Sequence, residues 1–368
     1  MSFWTTSAGA PSLWSVYFGD RQPRFLRDGP PPTPPAIWLD GRSGDELVPR
    51  RLFASDGDIV ARFLEAYYCG AGWRYVDVGR WIHRYLGDPS VVAIGFFRKG
   101  TGLPELSATM FAVPLAEGAG ALMSHGGRVR GMMVFEGLCV APKYRGAGLI
   151  HAALNYMDSL LHRLTGGTVG IWCRDMDSAP FLSTAIQTAV YGFRACGSGG
   201  AAPTGPKDLP WATFAALWER DAPSWLIAPT DAVTATGVLV APVPENRRGT
   251  MRVFHCEGDL VICVGDTGRV SVPHTLPIYE IMWCGSLDAA GKLCVARKDQ
   301  NFKHAVDSVA VALGHGLLFG TDALNGGGLS AAWTGWMFGH SGCVAWYMYN
   351  YVPPSYGMTR LHLLRDEL

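Results

Sequence analysis

The chain has 368 residues, 48% of them apolar and 17% charged, with 31 basic residues balanced by 31 acidic ones. That length and apolar content suit a large core divided into two domains or two fused halves, and they exclude a disordered chain. Zero net charge argues against broad electrostatic binding of nucleic acid or of an anionic membrane. The longest apolar runs fall short of the roughly 20 residues that a membrane helix needs, so no integral membrane association is expected. Met1-Ser2-Phe3-Trp4 opens no signal peptide. Nine cysteines occur without Cys-x-x-Cys spacing. Most fall in apolar strands (Cys139, Cys173, Cys263, Cys284, Cys294) and read as reduced core residues, which makes a cytoplasmic location the expectation. Arg365-Asp366-Glu367-Leu368 looks like an endoplasmic-reticulum retrieval tail but, with no entry signal, is read as chance.

Residues 1–37 carry Phe3-Trp4, Trp14, Tyr17 and Phe18, then the run Pro30-Pro31-Pro32-Thr33-Pro34-Pro35. This is an extended arm anchored by its aromatics. Asp56 or Asp58 is placed to cap a helix through Ile59, Val60, Phe63, Leu64 and Tyr67 that stops at Gly70. A second helix is predicted over 77–86. A strand at 91–97, a turn at Lys99-Gly100-Thr101-Gly102 and a partner strand at 106–113 make a hairpin. An apolar strand at 132–140 ends at Pro142 and leads through a short glycine-bearing loop into a helix. Ile150, Leu154, Met157, Leu161 and Leu164 form that helix's 3.6-residue stripe. A strand at 169–174 completes the first unit. After the Gly/Ala/Pro-rich stretch 197–206 a second unit begins. It reads as a helix at 211–218, strands at 252–256, 260–264, 278–284 and 293–296, a helix at 302–313 and a strand at 316–320. A long aromatic strand at 342–351 and a short one at 361–364 follow. Strands, helix, strand again is the order, so the second half looks like a degenerate copy of the first.

The loop after the 132–140 strand gathers bare backbone N–H groups at a helix start, a setting that suits phosphate, with Arg145 as a cationic fork beside it. An ordinary strand-to-helix turn is the competing reading. The dinucleotide pattern Gly-x-Gly-x-x-Gly and the nucleotide loop ending in Gly-Lys-Ser/Thr are both absent here. Arg145-x-x-Gly148 after a strand resembles the pyrophosphate loop of the GNAT acyl-CoA transferases. His315 and His340 have no partner at metal-ligand spacing, and His151 reads as a capping or exposed residue, so no metal is expected.

Three collinear segments together resemble N-myristoyltransferase, a two-lobed GNAT family. Glu136-Gly137-Leu138-Cys139-Val140 followed by Tyr144-Arg145-Gly146 matches the family's Asn-Phe-Leu-Cys-Val and Leu-Arg-Ser. Trp346-Tyr347-Met348-Tyr349-Asn350-Tyr351 with Ser355-Tyr356-Gly357 matches its Tyr-Tyr-Leu-Tyr-Asn-Trp and Ser-Met-Gly. Phe3-Trp4-Thr5-Thr6 is similar to its Phe-Trp-x-Thr start.

The resemblance implies an α+β fold of two tandem GNAT-like halves around a continuous mixed, saddle-like β-sheet. It implies an arm over the coenzyme at 1–37, an acyl-CoA-binding half at 38–200 and a peptide-binding half at 201–368. The implied reaction moves a fatty acyl group, myristoyl by analogy, from acyl-CoA to the N-terminal glycine amine of a peptide or protein, catalysed by a monomer. Myristoyl-CoA would be held by Phe3, Trp4, Thr5, Cys139, Val140, Arg145, Gly146, Ala147, Gly148, Leu149 and Ile150. The family's oxyanion donors, two consecutive backbone amides, fall on Gly137 and Leu138. Its base, the C-terminal carboxylate, falls on Leu368, and Glu136 is a second candidate base. Cys173, Trp283, Asp322, Tyr347 and Tyr349 would border the peptide. Cys173 replaces a hydroxyl, and Tyr67 to Trp73 lacks the family's acidic loop residues, so peptide preference should differ. Acetyl transfer to another amine, and an acyl-CoA- or peptide-binding protein that has lost turnover, are the alternatives.

Overall fold

The structure, a computed structural model, describes residues 24–25, 31, 33–70, 72–100, 102, 104–114, 122–125, 128–146, 148–165, 168–175, 185–197, 205–221, 238–240, 250–272, 274–295, 302–321, 337–349, 351–352 and 360–362. The side chains of 24–25, 114, 122–125, 128–132, 168–169, 171–175, 185–191, 238–240, 295, 321, 337–349, 351–352 and 360–362 stand outside that description.

The first half opens with a hairpin of β1 (Trp38–Leu39) and β2 (Glu46–Leu52). Helix α1 (Gly57–Tyr67), strand β3 (Trp73–Tyr75) and helix α2 (Gly79–Gly87) follow. Next come β4 (Val92–Arg98), β5 (Leu106–Pro114), β6 (Arg128–Val140), helix α3 (Leu149–Thr165) and β7 (Thr168–Asp175). β2, β4, β5 and β6 pair antiparallel in that order, and β7 returns parallel to β6 through α3. A parallel return needs a crossover of helix length, and α3 supplies it.

The second half repeats this plan. After β8 (Ala185–Ala195) and helix α4 (Trp211–Asp221), β9 (Met251–Cys256), β10 (Leu260–Ser271) and β11 (Pro277–Leu287) form an antiparallel meander. Helix α5 (Lys303–Leu313) crosses over to β12 (Leu317–Thr321), which is parallel to β11. The final long strand β13 (Met337–Tyr349) lies between β7 and β8, and β8 pairs in turn with β12. One mixed sheet therefore runs through both halves, giving the α+β fold of two tandem units. β3 of the first half also pairs with β10 of the second, Tyr75 opposite Arg269.

The predicted stripe of α3 faces inward at Leu154, Met157 and Leu161, while Ile150 and Leu164 at its ends are exposed. Trp81, Ile82 and Tyr85 of α2 join the same core as Phe96, Phe111 and Phe135. Asp56 does not cap α1 with its side chain. Its carboxylate instead takes both arms of Arg50, at 2.9 and 2.7 Å. In the second half, Trp283 was expected at the peptide groove. It is fully buried, with its ring 5.8 Å from Phe214 and 5.3 Å from Trp218 of α4. Period-2 alternation says which residues share a face; it does not say that a helix covers that face. Truncating Trp218 to Ala empties the middle of this aromatic cluster and should cost about 3–5 kcal/mol, read as a lowered urea midpoint.

Candidate active site

The β5–β6 ladder slips by one residue where the first unit needs it. Thr109 faces Cys139 and Phe111 faces Glu136, so Met110 alone stands opposite both Gly137 and Leu138. Gly137 has φ +57°. That left-handed backbone is open to glycine and costs other residues about 1–2 kcal/mol, which explains a glycine in a buried strand. The buried Thr109 hydroxyl donates to the Gly137 carbonyl at 2.9 Å. The peptide is planar and trans, so the Leu138 N–H points opposite to that carbonyl, away from β5. On that side lies β7. The β6–β7 ladder covers only Gly131 to Val134 against Thr168 to Ile171, and the described residues beyond it share no rung. The bulge thus turns a backbone donor away from β5 beyond the last described rung of the β6–β7 ladder.

Glu136, one residue before the bulge, accepts a hydrogen bond from the Tyr85 hydroxyl of α2. Tyr68 lies near the same carboxylate. Burial, then the phenol of Tyr75, pushes the Tyr68 hydroxyl well above its ordinary value. Tyr68 stacks on Tyr75 at 5.3 Å and meets Trp73 edge-on at 5.8 Å. Arg269 of β10 lies 4.7 Å over the Trp73 ring and 5.7 Å over Tyr75, so the cluster ties the two halves together beside Glu136. Burial opposes the Arg269 charge, but Tyr75 and Glu280 outweigh it and hold the guanidinium charged.

Past the bulge, Cys139 and Val140 are buried, as is Leu149 at the start of α3, so none of the three offers an exposed side chain to a ligand. Burial pushes the Cys139 thiol up to about 12, which leaves it protonated and inert as a nucleophile. Gly146 and Gly148 have φ +76° and +88° and are exposed. The Arg145 guanidinium turns back, donating to the carbonyls of Val140 at 2.9 Å and Tyr67 at 3.3 Å. It clamps the loop to β6 and α1 instead of extending over the glycines, contrary to the expected cationic fork. The β1–β2 turn is fastened to this loop. Asp45 pairs with Lys143, accepts from the Tyr144 hydroxyl at 2.9 Å and lies 3.2 Å from Arg98. Arg42 donates to the Arg145 carbonyl at 3.1 Å.

Phe3, Trp4, Thr5, Ala147, Asp322 and Leu368 lie outside the described residues. Cys173, Tyr347 and Tyr349 stand on β7 and β13, in register as Cys173 with Trp346, Trp172 with Tyr347 and Gly170 with Tyr349. Gly137, Leu138, Glu136 and the glycine loop do come together at the end of β6. Thr109, Tyr85 and Arg42 were not anticipated. Nothing local in the sequence pointed from Tyr85 to its partner 51 residues away.

No protein-family model matches this sequence, and no curated protein matches it in a sequence search. Solved structures do. N-myristoyltransferase from Saccharomyces cerevisiae, crystallised with bound myristoyl-CoA and inhibitors, superposes with a TM-score of 0.63 at 13% identity, over 96% of this chain and 90% of that one. A second crystal structure of that enzyme, with bound myristoyl-CoA, gives 0.61 at 12% identity over 95% and 92%.

Two outcomes test the site's construction. Gly137→Ala should lower unfolding stability by about 1–2 kcal/mol, read by urea denaturation, because alanine resists the positive φ. Hydrogen bonds from Lys143 and Tyr144 hold the Asp45 carboxyl down at about 2, from an ordinary 3.8. A depressed carboxylate stabilises the fold above its unfolded value and loses that contribution as pH falls through its folded one. Asp45→Asn should therefore lower the midpoint at neutral pH, with the gap to wild type closing between pH of about 4 and 2.

The chain has the fold of the N-myristoyltransferases across nearly its whole length.

Proposed function

We propose that this protein transfers a long acyl group, myristoyl by preference, from acyl-CoA to the N-terminal glycine amine of a peptide or protein. The observation that carries the reading is the Gly137–Leu138 bulge, placed directly before a glycine loop and a helix start in an N-myristoyltransferase fold. Other amine acyl transfers could share the fold; the paired positions of bulge and loop favour a thioester donor.

The residues have separable tasks. The loop's backbone amides at the start of α3 receive the coenzyme's phosphates. The acyl thioester carbonyl then lies in the opening between β6 and β7. Glu136 takes a proton from the glycine ammonium, and Tyr85 orients that carboxylate through its hydroxyl. The free amine attacks the carbonyl carbon. A new C–N bond forms while the carbonyl electron pair moves to oxygen, and the Leu138 N–H receives the oxyanion. Collapse breaks the C–S bond, the sulfur leaves as the coenzyme thiolate and takes up the second proton from nitrogen, and Glu136 returns the first proton to solvent. Glu136 stands in the base role here, with the Leu368 carboxylate as the alternative. The aromatic walls Tyr68 and Trp73, with no carboxylate between Tyr67 and Trp73, suit an acceptor without a lysine-rich start.

Incubation with acyl-CoAs of graded length and a peptide library beginning with Gly, read by mass spectrometry, tests the reading. The expected result is N-terminal acylation peaking at a long chain. Transfer of acetyl alone would move the protein to the acetyltransferases, and no product with any donor would end the proposal. Glu136→Gln should lower kcat about 10²- to 10⁴-fold with little change in the KM for acyl-CoA. An unchanged kcat would return the base to Leu368.

A further inference from the structure

The glycine loop is short of side-chain cations. Arg145 is committed to the Val140 and Tyr67 carbonyls, and Lys143 to Asp45. Gly146 offers no side chain. The space that one would occupy is taken by a residue from a different element: a Cβ at Gly146 would meet Nη1 and Nη2 of Arg42, each at 3.3 Å. Arg42 sits 103 residues before Arg145, in the β1–β2 turn.

That turn is built to hold Arg42 in place. The Asp40 side chain is fully buried, and its carboxylate accepts from the backbone N–H of Ser43 at 2.9 Å, from the Ser43 hydroxyl and from the Arg42 N–H at 3.4 Å. The Asp40 N–H donates to the Asp45 carbonyl at 2.9 Å, and the Gly44 N–H to the Asp40 carbonyl at 2.8 Å. Both carboxylates of the turn are thus engaged elsewhere, Asp40 by the turn itself and Asp45 by Lys143, Tyr144 and Arg98. Among the described residues, no carboxylate forms an ion pair with the Arg42 guanidinium. Its one described side-chain bond is to the Arg145 carbonyl, while Nη1 and Nη2 lie against Gly146 of the loop, so most of its five N–H donors carry no described partner.

We propose that Arg42 is a phosphate ligand of this site, binding a phosphate of the CoA nucleotide in place of a side chain from the loop. The proposal rests on the acyl-CoA reading above. An arginine fork suits a tetrahedral phosphate better than a lysine does, because it presents two parallel N–H donors. Its role makes the site selective for donors that carry the nucleotide over donors truncated at the pantetheine.

The test uses the full chain and calorimetric titration with CoA, 3′-dephospho-CoA and pantetheine. Wild type, Arg42→Ala and Arg42→Lys are compared, with Arg80→Ala on the exposed end of α2 as the control. At about 0.1 M salt, Arg42→Ala should weaken CoA binding about ten- to thirtyfold, and Arg42→Lys by less. The deficit should shrink in 1 M salt, where ionic contacts are screened. Pantetheine binding should not change. A penalty that persists with 3′-dephospho-CoA places the contact on the diphosphate; one that disappears places it on the 3′-phosphate. Equal CoA affinity for Arg42→Ala and wild type would overturn the proposal while leaving the acyl-CoA reading intact. A wild-type chain that binds neither CoA nor acyl-CoA would instead overturn the acyl-CoA reading.

Discussion

One hydrogen bond decides how the end of β6 is shaped: the Thr109 hydroxyl on the carbonyl of Gly137. Without a partner, a buried carbonyl displaced from its ladder would cost free energy of the order of a lost hydrogen bond. The threonine removes that cost and fixes the peptide plane at the same time. The plane sets where the Leu138 N–H points, and the two-against-one count at Met110 falls just beyond the last described β6–β7 rung, at Val134. The opening, the donor that faces it and the approach to the glycine loop all follow from that local choice. The bulge keeps its register because Phe135 before it and Cys139 and Val140 after it are buried, and a one-residue slip would move a buried set to the other face.

The rest of the scaffold fastens pieces to that strand end. Asp45, Lys143 and Tyr144 join the first hairpin to the loop, and Tyr85 reaches Glu136 from α2. The Trp73–Tyr75–Arg269 stack brings a strand of the second half against the first. Cations over aromatic faces gain strength as water is removed, so a half-buried arginine is well suited to a seam between two lobes. The aromatic cluster therefore does two things from one position. It pairs a strand of each half, and it stands beside the Glu136 carboxylate.

The helices were legible because a 3.6-residue stripe is a strong local signal, and α1, α2, α3, α4 and α5 each begin within about two residues of expectation. Two long strands were not. β2 carries Pro49 and adjacent Arg50 and Arg51, which break the apolar alternation, yet it pairs with β4 in unbroken register from Leu47 to Leu52, with Pro49 opposite Phe96. β8 is rich in Ala, Gly and polar residues and gains its place from β12 and β13, both more than 100 residues later. The glycine of the bulge stood out as a glycine inside a strand. Its pin, Thr109, and the Tyr85 bond to Glu136 are long-range pairings with no local signature. Arg145 was read as a phosphate fork from its position alone; its carbonyl contacts depend on where α1 ends.

The place of β13 has a consequence for how the chain is made. β7 is complete once residue 175 has been synthesised, but its second neighbour, β13, begins at Met337. During translation the outer edge of β7 must wait for about 160 further residues, roughly 10–30 s at about 5–20 residues per second. An unpaired strand edge is a template for other chains throughout that interval. The last long strand thus acts as the keystone of the sheet. Until it arrives, the first half holds its core but keeps an open edge, which makes the nascent chain dependent on its own C-terminal third for protection.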